Sequence, residues 1–314
     1  MLIKSLLQMA SPAGGGARLS ILIFHRVAMQ PDAIFPDEMH ASRFNEVCGW
    51  LKAWFNVLSL DTAVAHLKAG TLPARAACIT FDDGYADNHD VALPILQKHG
   101  LPATFFIATG FLDGGRMWND TVIESVRLSK LSTIDMGELG CFAVNTPAEK
   151  AATIGATIGK IKYLPVAERL TTAQNIADAA QVTPPVDLMM TPSQVKAMRQ
   201  AGMQIGAHTV SHPILARLSD DQAMAEIKTS KDYLENVLGE RVGLFAYPNG
   251  KPGEDYTPAS VEVVKGLGFD AAVSTQWGAS RMGDDLFQIK RFTPWDKTQW
   301  RFGTRLLQNL LLNK

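Results

Sequence analysis

The chain has 314 residues, 46% of them hydrophobic, and a formal net charge of -1 from 30 basic and 31 acidic residues. This length is ample for a large buried core, arranged as one barrel or two smaller domains. The balanced charge leaves no electrostatic footprint for nucleic acid and excludes that class of function. The three cysteines, Cys48, Cys78 and Cys141, form no CxxC pair, so we expect no disulfide framework and a reducing compartment.

The N-terminal segment is a poor match to a targeting signal. Its apolar stretch over residues 1–10 is too short for a signal peptide, and no apolar run of the chain is long enough to span a bilayer. Three consecutive glycines follow at residues 14–16. We therefore predict a flexible lead-in over residues 1–18 and a cytoplasmic protein.

Strand and helix patterns alternate along the chain from residue 19. Short apolar runs predict strands, and longer segments with one apolar face or a recognisable cap predict helices. This alternation is typical of βα units around a parallel sheet. In chain order we predict strand 19–24, helix 41–55, strand 57–60, helix 61–67 with Asp61 at its N-cap, strand 76–81, helix 91–99, strand 103–108, helix 191–201 with Thr191 at its N-cap, strand 203–207, helix 219–238 between Ser219 and Gly239, strand 242–246, helix 258–266, strand 269–273 and strand 286–290.

About seven such units predict an α/β fold, a distorted (β/α) barrel over residues 19–299. The alternation of strand and helix patterns stops between about residues 114 and 185, where no clear strands are visible, and we predict a helical insertion there. Residues 300–314 form an amphipathic tail that contains Trp300, Leu306 and Leu310. We expect this tail to pack on the barrel as a terminal helix. The alternative is an anchor at the inner membrane surface.

Five predicted strands end in polar or titratable residues. The ends of parallel barrel strands lie on one face, where active sites are built. Two imidazoles and one carboxylate are enough for a catalytic metal site with open positions, and a second carboxylate is then free to act as a base. The residues that follow the strands are His25, Asp82 with Asp83, His208 with His212, residues 247–250, and Arg291.

Three of these segments carry recognisable motifs. Residues 80–84 read TFDDG and residues 208–213 read HTVSHP. They resemble the TFDDG and H-[ST]-x-x-H-P motifs of the polysaccharide deacetylases, also called the NodB-homology family or carbohydrate esterase family four. Residues 245–250 resemble the third motif of that family. The resemblance implies a seven-stranded distorted barrel and a metal-dependent hydrolase that removes N-acetyl groups from amino sugars of a polysaccharide, oligosaccharide or glycolipid precursor.

The resemblance also implies roles for individual residues. Asp83, His208 and His212 would bind a divalent metal, and Asp82 would be the general base that takes a proton from the attacking water. The backbone N–H of Tyr247 would stabilise the oxyanion. Zn is the first choice of metal for two imidazoles and a carboxylate, while Fe, Co and Ni suit the same ligands.

The chain lacks two residues of the common family pattern, namely the arginine of the third motif and the C-terminal histidine that serves as the catalytic acid. Its third motif has no arginine, and no histidine follows His212. The pattern is closer to the poly-N-acetylglucosamine deacetylase branch, whose motifs are circularly permuted and whose histidine comes early. We predict that His25 protonates the leaving amine, because it directly follows an apolar strand, with His89 as the reserve candidate. Arg291 is expected to pair with Asp82 and keep it ionised, and the alternative is a surface arginine.

Aromatic and loop residues near the motifs are candidate sugar contacts. A loop tryptophan equally often packs over a core edge. The candidates for substrate binding are Tyr85, Trp118, Pro248 and Asn249, with Trp277 and Trp295 as further loop aromatics.

Two other functions stay open at the level of sequence. One is a saccharide-binding protein that kept the fold and lost the chemistry, although both aspartates and both histidines are present here. The other is an amidase that acts on a C–N bond outside sugars. The expected partner is an N-acetylated saccharide, and the sequence carries no indication of oligomeric state.

Overall fold

A curled, mostly parallel sheet of eight strands forms the centre of the protein, which a computed structural model describes over residues 2–294 and 296–311. The spatial order of seven of these strands along the sheet is tenth, first, third, fourth, seventh, eighth and ninth in the chain, and the second pairs with the third. This half-barrel confirms the predicted fold class. The strands are β1 (Arg18–Phe24), β2 (Asn56–Val57), β3 (Ala76–Phe81), β4 (Thr104–Ile107), β5 (Thr133–Asp135), β6 (Cys141–Ala143), β7 (Gln204–Ala207), β8 (Leu244–Ala246), β9 (Ala271–Val273) and β10 (Ser280–Arg281), where β5 and β6 form a separate hairpin.

The strand register aligns the carboxyl ends of the parallel strands. Phe24 of β1 is level with Phe81 of β3, and Phe81 is level with Phe105 of β4. The three buried rings stack, with centroids 5.3 Å apart between Phe24 and Phe81 and 4.8 Å apart between Phe81 and Phe105. The polar residues that follow β1 and β3 therefore emerge side by side above one apolar layer.

Eleven helices are present among the described residues, most of them on the outside of the sheet. The predicted N-caps at Thr191 and Ser219 are confirmed, and each forms a capping box with a glutamine three residues later. The N-cap predicted at Asp61 is wrong, since the helix begins at Leu60 after Ser59 and Asp61 lies in its first turn. The helices are α1 (Leu2–Ala10), α2 (Ala41–Trp54), α3 (Leu60–Ala69), α4 (Leu93–His99), α5 (Trp118–Leu128), α6 (Pro147–Ile161), α7 (Val166–Ala179), α8 (Pro192–Gln200), α9 (Asp220–Leu238), α10 (Pro258–Gly266) and α11 (Gln299–Leu311).

The insertion contains the predicted helices and a hairpin that the sequence pattern does not indicate. Its helices α5, α6 and α7 pack around a core of their own, which includes Val122, Val126, Ile154 and Ile176. Strands β5 and β6 have three residues each and pair in an antiparallel ladder. A three-residue strand is too short to show a period of two, so the expectation of an insertion without strands is wrong on this point.

The N-terminal segment is not a flexible lead-in, because residues 2–10 form α1. This helix packs against α11, and its Leu7 is fully buried. Gly303 of α11 lies so close to Ile3 and Trp54 that a Cβ there would collide with the Ile3 side chain. Apolar residues of α1 and α11 bury one another, and the sequence of either segment alone gives no indication of this packing.

The C-terminal tail packs on the barrel as the preferred interpretation expects. Phe302, Leu306 and Leu310 are buried, whereas Trp300 and Leu311 remain exposed. None of the helices in the described part of the chain is long and apolar enough to cross a membrane. Residues beyond Leu311 and the candidate Trp295 lie outside the described residues.

The predicted strand 286–290 does not form as a regular strand. Single bridges instead connect Ile289 to Val273 of β9 and Phe292 to Leu22 of β1. Two isolated bridges are too few for a ladder, but they span the gap between the first and last parallel strands. Arg291 lies between these bridges, and its side chain is therefore held at the seam of the half-barrel.

Candidate active site

Three side chains that follow β3 and β7, two strands on either side of β4, form a candidate metal centre. The Asp83 Oδ1 atom lies 3.5 Å from Nε2 of His208 and 3.5 Å from Nε2 of His212. The three ligand atoms lie within 4.8 Å of one another. Asp83 Oδ1 is buried and has no hydrogen-bond partner among the described residues. A buried carboxylate oxygen without a donor, facing two imidazole nitrogens, fits a bound cation.

The protonation of the histidines also suits a metal. His208 Nδ1 lies 2.7 Å from the Ala246 carbonyl oxygen, which can only accept, so Nδ1 carries a proton and Nε2 offers its lone pair. Burial lowers the pKa of His212 to about 4, which keeps this ring neutral near neutral pH. Burial also lowers the pKa of His208, but Asp82 and Asp83 outweigh it and raise the net value. The site thus favours a positive charge beside Asp83.

Four residues of the site loops adopt left-handed backbone conformations although none is glycine. The φ angle is 77° at Asp83, 65° at Thr209, 51° at His212 and 58° at Asn249. Residues with side chains rarely adopt such angles, and the resulting strain concentrates where the surroundings fix a functional geometry. The loops after β3, β7 and β8 are therefore shaped by their contacts rather than by local preference.

Asp82 is held by the buried arginine from the seam of the half-barrel. Arg291 is fully buried, and its Nη1 and Nη2 atoms donate to Oδ1 and Oδ2 of Asp82 at 2.7 and 2.8 Å. Arg291 also donates from Nε to the Ser274 carbonyl and from Nη1 to the Thr80 hydroxyl. Burial tends to raise the pKa of Asp82, but the Arg291 charge and its hydrogen bonds bring the net pKa below its usual range. The alternative of a surface arginine is wrong.

This ion pair predicts a shifted pH dependence for an Arg291→Met variant. Arg291 lowers the pKa of Asp82, and its removal lets burial raise that pKa. Since a general base works only in its ionised form, the acidic limb of the kcat/KM profile is expected to move to higher pH. Arg291→Lys, which keeps the charge, is the matched control and is expected to move the limb less. An unchanged acidic limb in Arg291→Met would refute this role.

A residue missed by sequence analysis holds the loop between the two histidines. Glu226 of α9 accepts hydrogen bonds from the backbone N–H groups of Val210 and Ser211, both at 2.9 Å, and from the Ser211 hydroxyl at 2.6 Å. Its carboxylate thus fixes three donors in the segment that presents His212. In the sequence, Glu226 resembles any solvated helix residue and carries no signal of this contact.

Replacing Glu226 with glutamine is expected to weaken metal binding. The amide offers one acceptor oxygen instead of two, so the loop would lose at least one hydrogen bond and His212 its fixed position. Loss of such supporting contacts typically lowers metal affinity about 10- to 100-fold. Competition with a chromophoric chelator measures the affinity directly. Glu235→Gln on the same helix removes the negative charge that pairs with Lys231 and is the control; equal affinities in the two variants would contradict the role of Glu226.

The predicted role of the Tyr247 amide conflicts with its hydrogen bonding. The Tyr247 N–H donates to the Val273 carbonyl at 3.2 Å, because the pairing of β8 with β9 continues one residue beyond the strand. Pro248 has no N–H. The next amide belongs to Asn249, for which no acceptor is found among the described residues. The Asn249 N–H is therefore the first amide of this loop without an acceptor among the described residues.

The candidate acid His25 is exposed at the end of β1 and lines a cavity of about 670 Å³ together with Asp83. The reserve candidate His89 instead contacts Asp90 at 2.7 Å and is not among the residues that line the cavity. The structure thus brings His25, and not His89, to the site.

The predicted sugar contacts divide between the cavity and the surrounding core. Tyr85 lines the cavity, whereas Pro248 and Asn249 are not among its lining residues. Trp118 begins α5 rather than lying in a loop, and its ring packs in the insertion beneath Arg169, 5.0 Å away. Trp277 is 47% exposed and lines a smaller cavity of about 210 Å³ beside Arg291.

Comparison with known proteins agrees with this arrangement. A family model described as polysaccharide deacetylase matches residues 69–272 of the chain. The chain belongs to the polysaccharide deacetylase family. The matched range includes all three candidate metal ligands and Asp82, and it leaves His25 and Arg291 outside.

Individual members of this deacetylase family are distant in sequence. The poly-beta-1,6-N-acetyl-D-glucosamine N-deacetylase of Staphylococcus aureus is 26% identical over 205 residues, which covers 63% of this chain and 69% of that protein. The deacetylase PplD of Streptococcus pyogenes superposes with a TM-score of 0.62 at 22% identity, covering 94% and 99% of the two chains. IcaB from Ammonifex degensii superposes with a TM-score of 0.61 at 18% identity, covering 96% and 99%. The two solved structures confirm the fold.

Proposed function

We propose that this family member hydrolyses N-acetyl groups on the amino sugars of a saccharide, with a divalent metal held by Asp83, His208 and His212. The observation that carries the proposal is the buried Asp83 oxygen, which has no donor among the described residues and faces two imidazole nitrogens. All four residues needed for the metal and the base are present, which argues against a binding protein that lost its chemistry.

The proposed mechanism uses the residues around this centre to move two protons. When bound, the metal would polarise the acetyl carbonyl and lower the pKa of water. Asp82, kept ionised by Arg291, takes a proton from the attacking water. The N–H of Asn249, which has no acceptor among the described residues, would stabilise the oxyanion. His25 then donates a proton to the leaving nitrogen, because an amide anion is too poor a leaving group.

We propose Zn as the metal, since two imidazoles and a carboxylate suit it. Fe, Co and Ni accept the same ligands, and affinity alone does not choose among them. Elemental analysis of protein purified without added metal identifies the ion that the protein retains. Recovery of Fe or Ni instead of Zn would contradict the choice of Zn and leave the ligand set intact.

The proposed substrate is a chain of N-acetylated amino sugars. The relative from Staphylococcus aureus is named for poly-beta-1,6-N-acetyl-D-glucosamine, and the cavity of about 670 Å³ is large enough for a substrate beyond a single acetyl group. A panel of N-acetylated oligosaccharides, peptidoglycan fragments and ureide-type amides tests this, with released acetate or ammonia as the readout. Hydrolysis of the ureides alone would favour the amidase.

We also propose that the enzyme works in the cytoplasm, with peripheral contact to the inner membrane surface as a further hypothesis. Trp300 and Leu311 of α11 stay exposed although the rest of the apolar face packs on the barrel. Exposed apolar residues on a basic helix can lie in a membrane interface. Co-sedimentation with anionic vesicles, with and without Trp300→Ala, tests this contact; protein that stays in the supernatant contradicts it.

A further inference from the structure

A buried carboxyl group of the insertion lies beside the catalytic residues. Asp120 is the third residue of α5 and is 2% exposed. Both of its carboxyl oxygens lie 3.1 Å from the hydroxyl of Tyr85, which follows the metal ligand Asp83 by two residues. Asp120 and Tyr85 line the same cavity as Asp83 and His25. The insertion thus brings a polar group of its own into the space where the substrate must bind.

No salt bridge to Asp120 is found in the described part of the chain. The Arg26 guanidinium pairs with Asp87 at 2.8 Å and covers the Tyr85 ring at 4.7 Å. Burial outweighs the charge of Arg26 and the hydrogen bond from Tyr85, which both lower the pKa of Asp120, and the net pKa is raised to about 7. Burying a carboxyl group without an ion pair costs stability, and such groups concentrate at functional sites.

The hydrogen bond between Tyr85 and Asp120 determines whether the Tyr85 hydroxyl can act as a donor or as an acceptor toward the cavity. Above the pKa of Asp120 its carboxylate only accepts, and both of its oxygens lie within hydrogen-bond distance, so the single hydroxyl proton of Tyr85 is directed at Asp120. The Tyr85 oxygen then has a lone pair but no proton to offer the cavity. A substrate group that meets this oxygen favourably must be a donor.

We propose that Asp120 is a positioning residue that fixes the Tyr85 oxygen as an acceptor for the acetamido N–H of the substrate. This inference rests on the proposed deacetylase function. An O-acetyl ester has no proton at the corresponding atom, so the pair favours amide substrates over esters. A purely structural role, in which the hydrogen bond only fastens the insertion to the barrel, would affect both kinds of substrate equally.

The test compares two substrates that differ in one atom. The N-acetylglucosamine tetramer and its 2-O-acetyl glucose counterpart are assayed for acetate release with the metal-loaded wild type, Tyr85→Phe and Asp120→Asn. Loss of one hydrogen bond is expected to lower kcat/KM for the N-acetyl substrate about tenfold in both variants. The ester reaction is expected to stay within about twofold of the wild type. Asp178→Asn on α7 of the insertion, which accepts a hydrogen bond from Gln174 and does not line the cavity, is the control and is expected to keep the wild-type ratio.

The outcomes separate this inference from the proposed function. Wild-type protein that releases acetate from neither compound contradicts the deacetylase activity itself. If the wild type hydrolyses the amide but Tyr85→Phe and Asp120→Asn keep its N-to-O ratio, the selectivity role is wrong and the activity stands. Melting temperatures of both variants show whether either has lost the fold, and Tyr85→Phe alone decides if Asp120→Asn unfolds.

Discussion

Replacing Asp82 with asparagine is expected to lower turnover by about a thousandfold, within the range of a general-base contribution. Asparagine keeps the shape of the side chain but has no basic oxygen to take a proton from water. The metal content is expected to stay at the wild-type level, because Asp83, His208 and His212 are unchanged. Acetate release and elemental analysis on the same preparation measure the two effects separately.

The variant also leaves the fully buried Arg291 without its counter-ion. Breaking a buried ion pair costs about 3–5 kcal/mol, so the melting temperature of Asp82→Asn must be measured beside its activity. Arg291→Met provides the comparison, since it breaks the same pair but keeps the carboxylate. Asp82→Asn that retains near-normal turnover would remove Asp82 from the mechanism, and loss of metal would make it a ligand instead.

Replacing His25 with alanine is expected to cut turnover by about a hundredfold or more, a typical contribution of a general acid. The leaving nitrogen would then depart without a positioned proton donor. Metal content and melting temperature are expected to stay unchanged, because the exposed His25 side chain has no hydrogen-bond partner among the described residues and is not one of the three proposed ligands.

The exposure of His25 allows a rescue experiment. Added imidazole can enter the cavity and is expected to restore part of the lost turnover. His89→Ala is the matched control, since His89 pairs with Asp90 and does not line the cavity. Near-normal turnover in His25→Ala, with a loss in His89→Ala, would reverse the two assignments.

The placement of the proposed metal ligands was accessible from sequence because it follows from the positions of strand ends. Asp83 is the second residue after the buried run of β3, and His208 comes directly after β7. The carboxyl ends of parallel strands lie at the same edge of the sheet. The residues that follow these strands are therefore expected to lie close together, and the conformations of the loops are not needed for that expectation. The pairing of Asp82 with Arg291 was accessible in the same way, although the missing regular strand around residue 289 shows that its position depends on two isolated bridges.

The remaining parts of the site depend on tertiary contacts that leave no local pattern. Glu226 and Asp120 lie on helices, where a charged residue is ordinarily solvated, and only helix packing brings them to the histidine loop and to Tyr85. The Tyr247 amide is occupied because a ladder continues one residue beyond β8. Helix α1 forms against α11, nearly three hundred residues away in the chain, and the first ten residues contain no sign of that partner.

We propose that N-deacetylation requires a metal held by Asp83, His208 and His212. The most direct measurement is acetate release from an N-acetylglucosamine oligomer by one preparation before chelation, after removal of the metal, and after stoichiometric add-back. We expect the chelated protein to lose activity and the reloaded protein to recover it, with His212→Ala failing to recover. Full activity in the metal-free protein would contradict the claim.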